Sequence, residues 1–90
     1  MCCYVYIVRC RDDTFYTGWT KDLENRMKVH NEGKGSRYTR ARLPVKLVHC
    51  EEFASQNEAM SRERAIKKMT RAAKQRLITD FHVSNAHKRP

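Results

Sequence analysis

Tyr4-Val5-Tyr6, Phe15-Tyr16-Thr17-Gly18 and Leu23-Glu24-Asn25-Arg26-Met27-Lys28-Val29-His30-Asn31 follow one another in the first third of the chain. The first two are rich in β-branched and aromatic residues and read as strands. In the third, Leu23, Arg26, Met27 and His30 fall at i, i+3, i+4 and i+7, one face of a helix. Arg26 and His30 are four residues apart and so point the same way. A face meant only for burial would be apolar at all four places. A guanidinium and an imidazole set against a tyrosine-bearing sheet are what a phosphate-handling site needs.

Outward from this stretch, the rest of the chain reads as one small unit. Cys3 to Val8 is apolar or aromatic on both alternating faces, which predicts a covered, central strand. Asp12-Asp13 marks a turn, and Phe15 to Thr20 is expected to return antiparallel. Gly18 inside that strand is expected to mark a close approach of backbone or ligand. Asp22 caps the first helix, which runs to about Asn31 and is stopped by Gly33 and Gly35. Val45 to Glu51 is a third strand, entered after Pro44. Ser55-Gln56-Asn57-Glu58 is a capping box that opens a second helix. Its apolar face holds Ala59, Met60, Ile66 and Met69, with Glu63 among them. Thr70 can cap a third helix, whose stripe is Ala73, Leu77, Ile78 and Phe81. His82 to Pro90 lacks periodicity and is expected to be a loose tail, so the domain is placed at residues 1–82 and a basic, disordered tail at 83–90. The expected fold is α/β: a three-stranded antiparallel sheet flanked by helices in the order β-β-α-β-α-α.

The 90 residues carry 19 Lys+Arg against 10 Asp+Glu, a formal charge of +9. Such a surplus predicts a polyanionic partner, nucleic acid first. No apolar run approaches the ~20 residues of a membrane span, and no secretory signal pattern is visible. Cys2, Cys3, Cys10 and Cys50 form no C-x-x-C pair, which argues against zinc or a disulfide framework and for reduced thiols in the cytoplasm. Lys34, Arg37, Tyr38, Arg40 and Arg42 lie in a stretch without acidic residues between Gly33 and Cys50. That pattern suits a nucleic-acid backbone with an aromatic ring for stacking. A solvated loop is the plainer alternative, and the basic third helix (Arg71, Lys74, Arg76) is another candidate surface.

Glu63 is a carboxylate on an apolar stripe and must be paired, protonated or metal-bound. The bland account is a salt bridge to a nearby arginine. Tyr6 and Tyr16 taken singly read as core aromatics, His30 as a structural histidine and Arg26 as a surface charge. Two tyrosines, an arginine, a histidine and an inward glutamate on one sheet face in a basic chain are a stronger signal together.

With these residues in view the chain resembles a GIY-YIG nuclease domain of the small stand-alone bacterial type. Tyr4-Val5-Tyr6 and Tyr16-Thr17-Gly18 stand where the two family motifs stand. Leu23-x-Asn25-Arg26-x-x-x-His30-Asn31 resembles the arginine helix, and Glu58-Ala59-Met60-x-x-Glu63 the segment whose last glutamate binds metal. Gly35-Ser36-x-Tyr38-Thr39 and Pro44-Val45-Lys46-Leu47-Val48 resemble the small members, and the likeness covers roughly residues 3 to 80. The first motif departs as Tyr-Val-Tyr, and only Gln75 lies near the place of an asparagine found in larger relatives. The resemblance implies a divalent-metal-dependent endonuclease acting on nucleic acid, DNA first, with no small-molecule cofactor. Glu63 would hold Mg²⁺ or Mn²⁺, Arg26 would clamp the phosphate, and Tyr6, Tyr16 or His30 would activate water. Free tyrosine has a pKa of about 10 and histidine about 6.5, so either a lowered tyrosine or the histidine could serve. The alternative is a non-catalytic nucleic-acid-binding module of a repair or processing assembly, or an adaptor for a repair partner.

Overall fold

Val5, Tyr6, Ile7 and Val8 are completely buried, because the strand that carries them is the middle one of three. In the computed structural model, which describes the backbone of residues 3–88 and the side chains of residues 3–81, β1 (Cys3–Arg9) lies between β2 (Phe15–Thr20) and β3 (Lys46–Phe53). Both pairings are antiparallel. Tyr6 faces Gly18 on one side and Cys50 on the other. A register shift opposite Ile7 and Val8 leaves Val48 as the extra residue of a bulge.

Helices cover both faces. On one side Val5, Ile7 and Val48 pack with Ala59 and Ile66 of α3 (Gln56–Lys67) and Ile78 of α4 (Arg71–Lys88). On the other, Tyr6, Val8, Cys10 and Val45 pack with Leu23 and Met27 of α1 (Leu23–Asn31). The β-β-α-β-α-α order expected from sequence holds, with one addition. The supposed loop after Gly33 contains a single helical turn, α2 (Arg37–Arg40), capped by the Ser36 hydroxyl on the Thr39 N–H. The charge run hid that cap.

The caps account for where helices begin and end. Asp22 accepts from the Asn25 N–H, and Ser55 accepts from the Glu58 N–H. Ser55 also donates to the Glu58 carboxylate. Thr70 accepts from the Ala73 N–H. At the end of α1 the Gly33 N–H reaches the His30 carbonyl and the Lys34 N–H reaches the Val29 carbonyl. That is a Schellman stop, with Gly33 at φ 79° where a β-carbon would be strained. α4 ends later than the sequence suggested. Its backbone stays helical through Lys88, so the irregular stretch expected from His82 is replaced over 82–88. No glycine or proline occurs between Arg71 and Lys88, and Pro90 is the first breaker. Residues 89 and 90 lie outside the described residues. Cys3, Cys10 and Cys50 are free thiols, as expected; Cys2 lies outside the described residues.

Glu51 ties β3 to α3. Arg62 donates to both its oxygens, at 2.8 and 3.1 Å, and His49 Nε2 lies 2.7 Å away. The His49 hydrogen bond, opposed by burial and reinforced by Arg62, holds the Glu51 carboxyl down to about 2 from an ordinary 4.5. The folded state therefore resists a proton that the unfolded chain accepts. This contribution is present above pH 4.5 and is lost as pH falls toward 2. Glu51→Gln should lower stability at neutral pH and flatten the acid limb across that window, as urea midpoints taken at several pH values would report.

Candidate active site

The site begins with a tyrosine that needs room. Tyr6 on β1 lays its ring across Gly18 on β2, and a β-carbon at Gly18 would stand 2.6 Å from the Tyr6 hydroxyl. The close approach expected at Gly18 is thus made by the protein's own tyrosine. Across the sheet face, α1 brings up Arg26 and His30. Arg26 Nε donates to the Tyr6 oxygen at 3.3 Å. The Tyr6 oxygen and His30 Nε2 are 2.8 Å apart.

His30 is fully buried and its other nitrogen is also engaged. Nδ1 lies 3.0 Å from Thr39 Oγ1, itself fully buried. The direction of these bonds follows from counting protons. Arg26 Nε can only donate to the Tyr6 oxygen, so the buried Tyr6 proton has His30 Nε2 as its acceptor. The neutral ring then carries its proton on Nδ1 and donates it to Thr39, whose own hydroxyl proton goes to Ser36, either to Oγ at 2.9 Å or to the carbonyl at 3.3 Å. The Tyr6 oxygen in turn accepts from Arg26. The row Arg26–Tyr6–His30–Thr39–Ser36 uses each proton once.

Protonation states agree with this wiring. Burial pushes the Tyr6 hydroxyl above 10.0, more than the Arg26 hydrogen bond and charge pull it down. The charges of Tyr16 and Glu63 push it further the same way. Tyr6 therefore keeps its proton. Burial, then the Arg26 charge, lowers His30 below 6.5, so the imidazole is neutral at neutral pH.

Tyr16 is only half-buried. Its ring meets His30 edge-on at 5.5 Å and stacks on Tyr38 at 6.1 Å. Its hydroxyl makes no hydrogen bond among the described residues, in contrast to that of Tyr6. α3 packs against the Val5–Ile7 face of the sheet, opposite Tyr6. Glu63 on it is half-buried, makes no hydrogen bond with Tyr6, Arg26 or His30, and its charge is the smallest influence on the Tyr6 hydroxyl. Its ion-pair partner is Lys67, one turn on at 3.5 Å, rather than an arginine. Lys67 is the exposed member of that i,i+4 pair, whereas the Glu63 side chain is 18% exposed, so the contact is weak on the lysine side. Among the described residues no three His, Cys, Asp or Glu side chains gather as a metal cage. A single carboxylate completed by water excludes a zinc-type site but fits Mg²⁺, which keeps most of its hydration shell.

The basic residues divide. Arg42 is committed inside the protein: its Nε lies 3.0 Å from Asp12, Nη1 donates to the Tyr38 carbonyl, and its guanidinium covers one face of the Tyr38 ring at 3.9 Å. Tyr38 is the large hydrophobic left exposed, and that face is no longer open to a base. Arg71 lies over Phe15 at 4.4 Å. Lys34, Arg37 and Arg40 are exposed and make no ion pair among the described residues. Gln75 is exposed on α4.

Sequence reasoning gave Gly35 only a helix-stopping role and gave Thr39 and Asn31 no role of their own. A β-carbon on Gly35 would overlap the His30 ring, coming within 2.7 Å of its carbons. Asn31 pairs with both the N–H and the carbonyl of Val45, joining α1 to β3. The Ser36-x-x-Thr39 capping spacing and the two glycines directly after His30 were the available signals.

Thr39→Val keeps the shape but strands the buried His30 N–H, a loss of roughly 1–3 kcal/mol. Thr39→Ser should restore most of it, and chemical denaturation of the three proteins measures both. A second expectation concerns pH. The unfolded chain protonates His30 near 6.5 while the folded chain resists, so this contribution to stability is present above pH 6.5 and declines as pH falls below it. The decline should be absent from His30→Gln in the same denaturation series.

A sequence profile described as the GIY-YIG catalytic domain matches residues 2–76. A UPF0213 protein of Clostridium perfringens is 57% identical over 76 residues, covering 84% of this chain and 82% of that relative. A UPF0213 protein of Natronomonas pharaonis is 51% identical over 77 residues, covering 86% and 91% respectively. The solution structure of a UPF0213 protein from Bacillus halodurans is 44% identical with a TM-score of 0.58, covering 88% of this chain and 84% of that one. The match spans both tyrosine motifs, the Arg26–His30 helix and Glu63, and the fold joins Tyr6, Arg26 and His30 by hydrogen bonds: the chain belongs to the GIY-YIG family of nucleases.

Proposed function

We propose that the protein is a divalent-metal-dependent endonuclease that hydrolyses phosphodiester bonds, with DNA as its first substrate. One observation carries the reading furthest. Arg26 gives its Nε to the Tyr6 oxygen, and its two Nη groups make no hydrogen bond or ion pair among the described residues. The planar fork is thereby aimed and left open, as bidentate capture of two phosphate oxygens requires.

The roles follow from the hydrogen bonds. Arg26 binds the scissile phosphate and stabilises charge gathering on its oxygens. Tyr6 holds Arg26 in place and keeps its own proton, which goes to His30. His30 has both nitrogens occupied and no exposed surface, so it orients Tyr6 rather than taking a proton from water. Tyr16 offers the accessible hydroxyl and positions the attacking water; it takes the water's proton as the phenolate, after its own proton has passed to solvent. The choice left open among Tyr6, Tyr16 and His30 thus falls on Tyr16. Glu63 would hold Mg²⁺ or Mn²⁺. The ion, when bound, supplies Lewis-acid stabilisation of the phosphate and leaving oxygens. Lys34, Arg37 and Arg40 hold the strand electrostatically, whereas Arg42 braces Tyr38.

Glu63→Gln should abolish Mg²⁺-dependent nicking of a labelled oligonucleotide while the protein stays folded, because the amide lacks the charge a hard cation needs. Wild-type turnover by this variant would remove Glu63 from the site. Arg26→Ala should depress kcat far more than it raises KM, since its contact strengthens as charge develops on the phosphate. Parallel assays on single-stranded, duplex and branched DNA and on RNA, with Mg²⁺, Mn²⁺ and EDTA, test the substrate. Salt-dependent binding with no cleavage of any of them would favour a binding module.

A further inference from the structure

Beside the His30 network, the basic residues assigned above to holding the strand are gathered around one small cavity. Gly33, Lys34, Gly35, Ser36, Arg37 and Arg40 wall a cavity of about 200 Å³. That is below the ~300–1,000 Å³ usual for organic ligands. Its walls carry three cations, a hydroxyl and glycine backbone. None of the three cations has an ion-pair partner among the described residues, and no acidic side chain lines the cavity. Arg37 and Arg40 are three residues apart on α2, a helical spacing at which like charges repel. Three uncompensated cations around one small polar cavity favour an anion with several oxygens. Arg42, close in sequence, shows the contrast: it is neutralised by Asp12.

The cavity is also wired to the reacting centre. Ser36 Oγ lies 2.9 Å from Thr39 Oγ1, and Thr39 continues through His30 and Tyr6 to Arg26. We infer that this cavity is a subsite for one non-scissile phosphate of the substrate strand, flanking the phosphate that Arg26 clamps. The inference rests on the nuclease reading for its substrate. Seating the flanking phosphate on Lys34, Arg37 and Arg40 sets the strand's register. The Ser36–Thr39–His30 hydrogen bonds hold that seat at a fixed offset from the Tyr6–Arg26 pair.

The test is a binding experiment on the intact protein in EDTA, so it does not depend on cleavage. A labelled single-stranded oligonucleotide is prepared as a set in which one phosphate at a time is replaced by a neutral methylphosphonate. Affinities are measured for the wild type and for Arg37→Gln/Arg40→Gln. One internal position beside the Arg26-dependent one should weaken wild-type binding about ten-fold or more, the scale of a charge-assisted hydrogen bond. The double variant should show no further loss at that position while still responding at the Arg26-dependent one. A loss spread evenly over all positions would overturn the subsite and leave only a diffuse basic surface. Sensitivity confined to a terminal phosphate would overturn it in favour of an end-binding pocket. As a direct check, inorganic phosphate should shift the Gly33 and Gly35 amide resonances saturably, and chloride at equal ionic strength should not. Equal shifts with both salts would contradict a phosphate seat. Coupling between that position and the double variant without any nicking would sink the nuclease reading alone. Nicking without the coupling would sink the subsite alone.

Discussion

A hydrogen bond of 2.8 Å between the Tyr6 hydroxyl and His30 Nε2 joins the central strand to the first helix in the buried interior. A buried polar pair of this kind is costly unless every group finds a partner. Much local architecture answers that demand. Gly18 leaves space for the Tyr6 ring, and Gly35 leaves space for the His30 ring. Ser36 caps one helical turn and thereby holds Thr39 against His30 Nδ1. Gly33 ends α1 sharply enough for the chain to come back and do so. The outcome is a tyrosine whose oxygen is fixed and whose proton is assigned, so it can aim Arg26.

The same constraint separates two tyrosines that look alike in sequence. Tyr6 is buried with both hydrogen-bonding directions used, which suits it to holding. Tyr16, two positions along β2 from Gly18, faces the same side but keeps its hydroxyl accessible, which suits it to reacting. Carboxylates separate likewise. Glu51 is neutralised by Arg62 and His49 and belongs to the scaffold between β3 and α3. Glu63, among the described residues, has only a lysine one turn away as its ion-pair partner. In the proposed mechanism, position and pairing rather than residue type divide each pair between holding and reacting.

Much of this was legible in the chain. The alternation of β1, the Asp22, Ser55 and Thr70 caps and the Arg26–His30 spacing are local signals, and local signals fix element type and facing. Two matters depended on contacts between distant residues, and a third on what ends a helix. The loop after Gly33 read as a charge run because lysines and arginines masked the Ser36 cap, and only the fold shows Thr39 meeting His30. Arg42 read as one more phosphate contact, whereas Asp12, thirty residues earlier, claims it. The end of α4 was placed too early because apolar periodicity stops after Phe81, although the backbone has no breaker until Pro90. Periodicity reports burial, and a helix can continue without it.

The account stands on the proton inventory around Tyr6, and the ring nitrogens of His30 report that directly. In protein labelled with ¹⁵N at histidine, the shifts of the two His30 nitrogens at neutral pH distinguish the neutral tautomers from each other and from the imidazolium. The expected result is a protonated Nδ1 and an unprotonated Nε2 that accepts from Tyr6. A proton on Nε2, in either a neutral or a charged ring, would contradict it. Tyr6 would then be an acceptor from both sides, and the wiring that aims Arg26 would have to be drawn again.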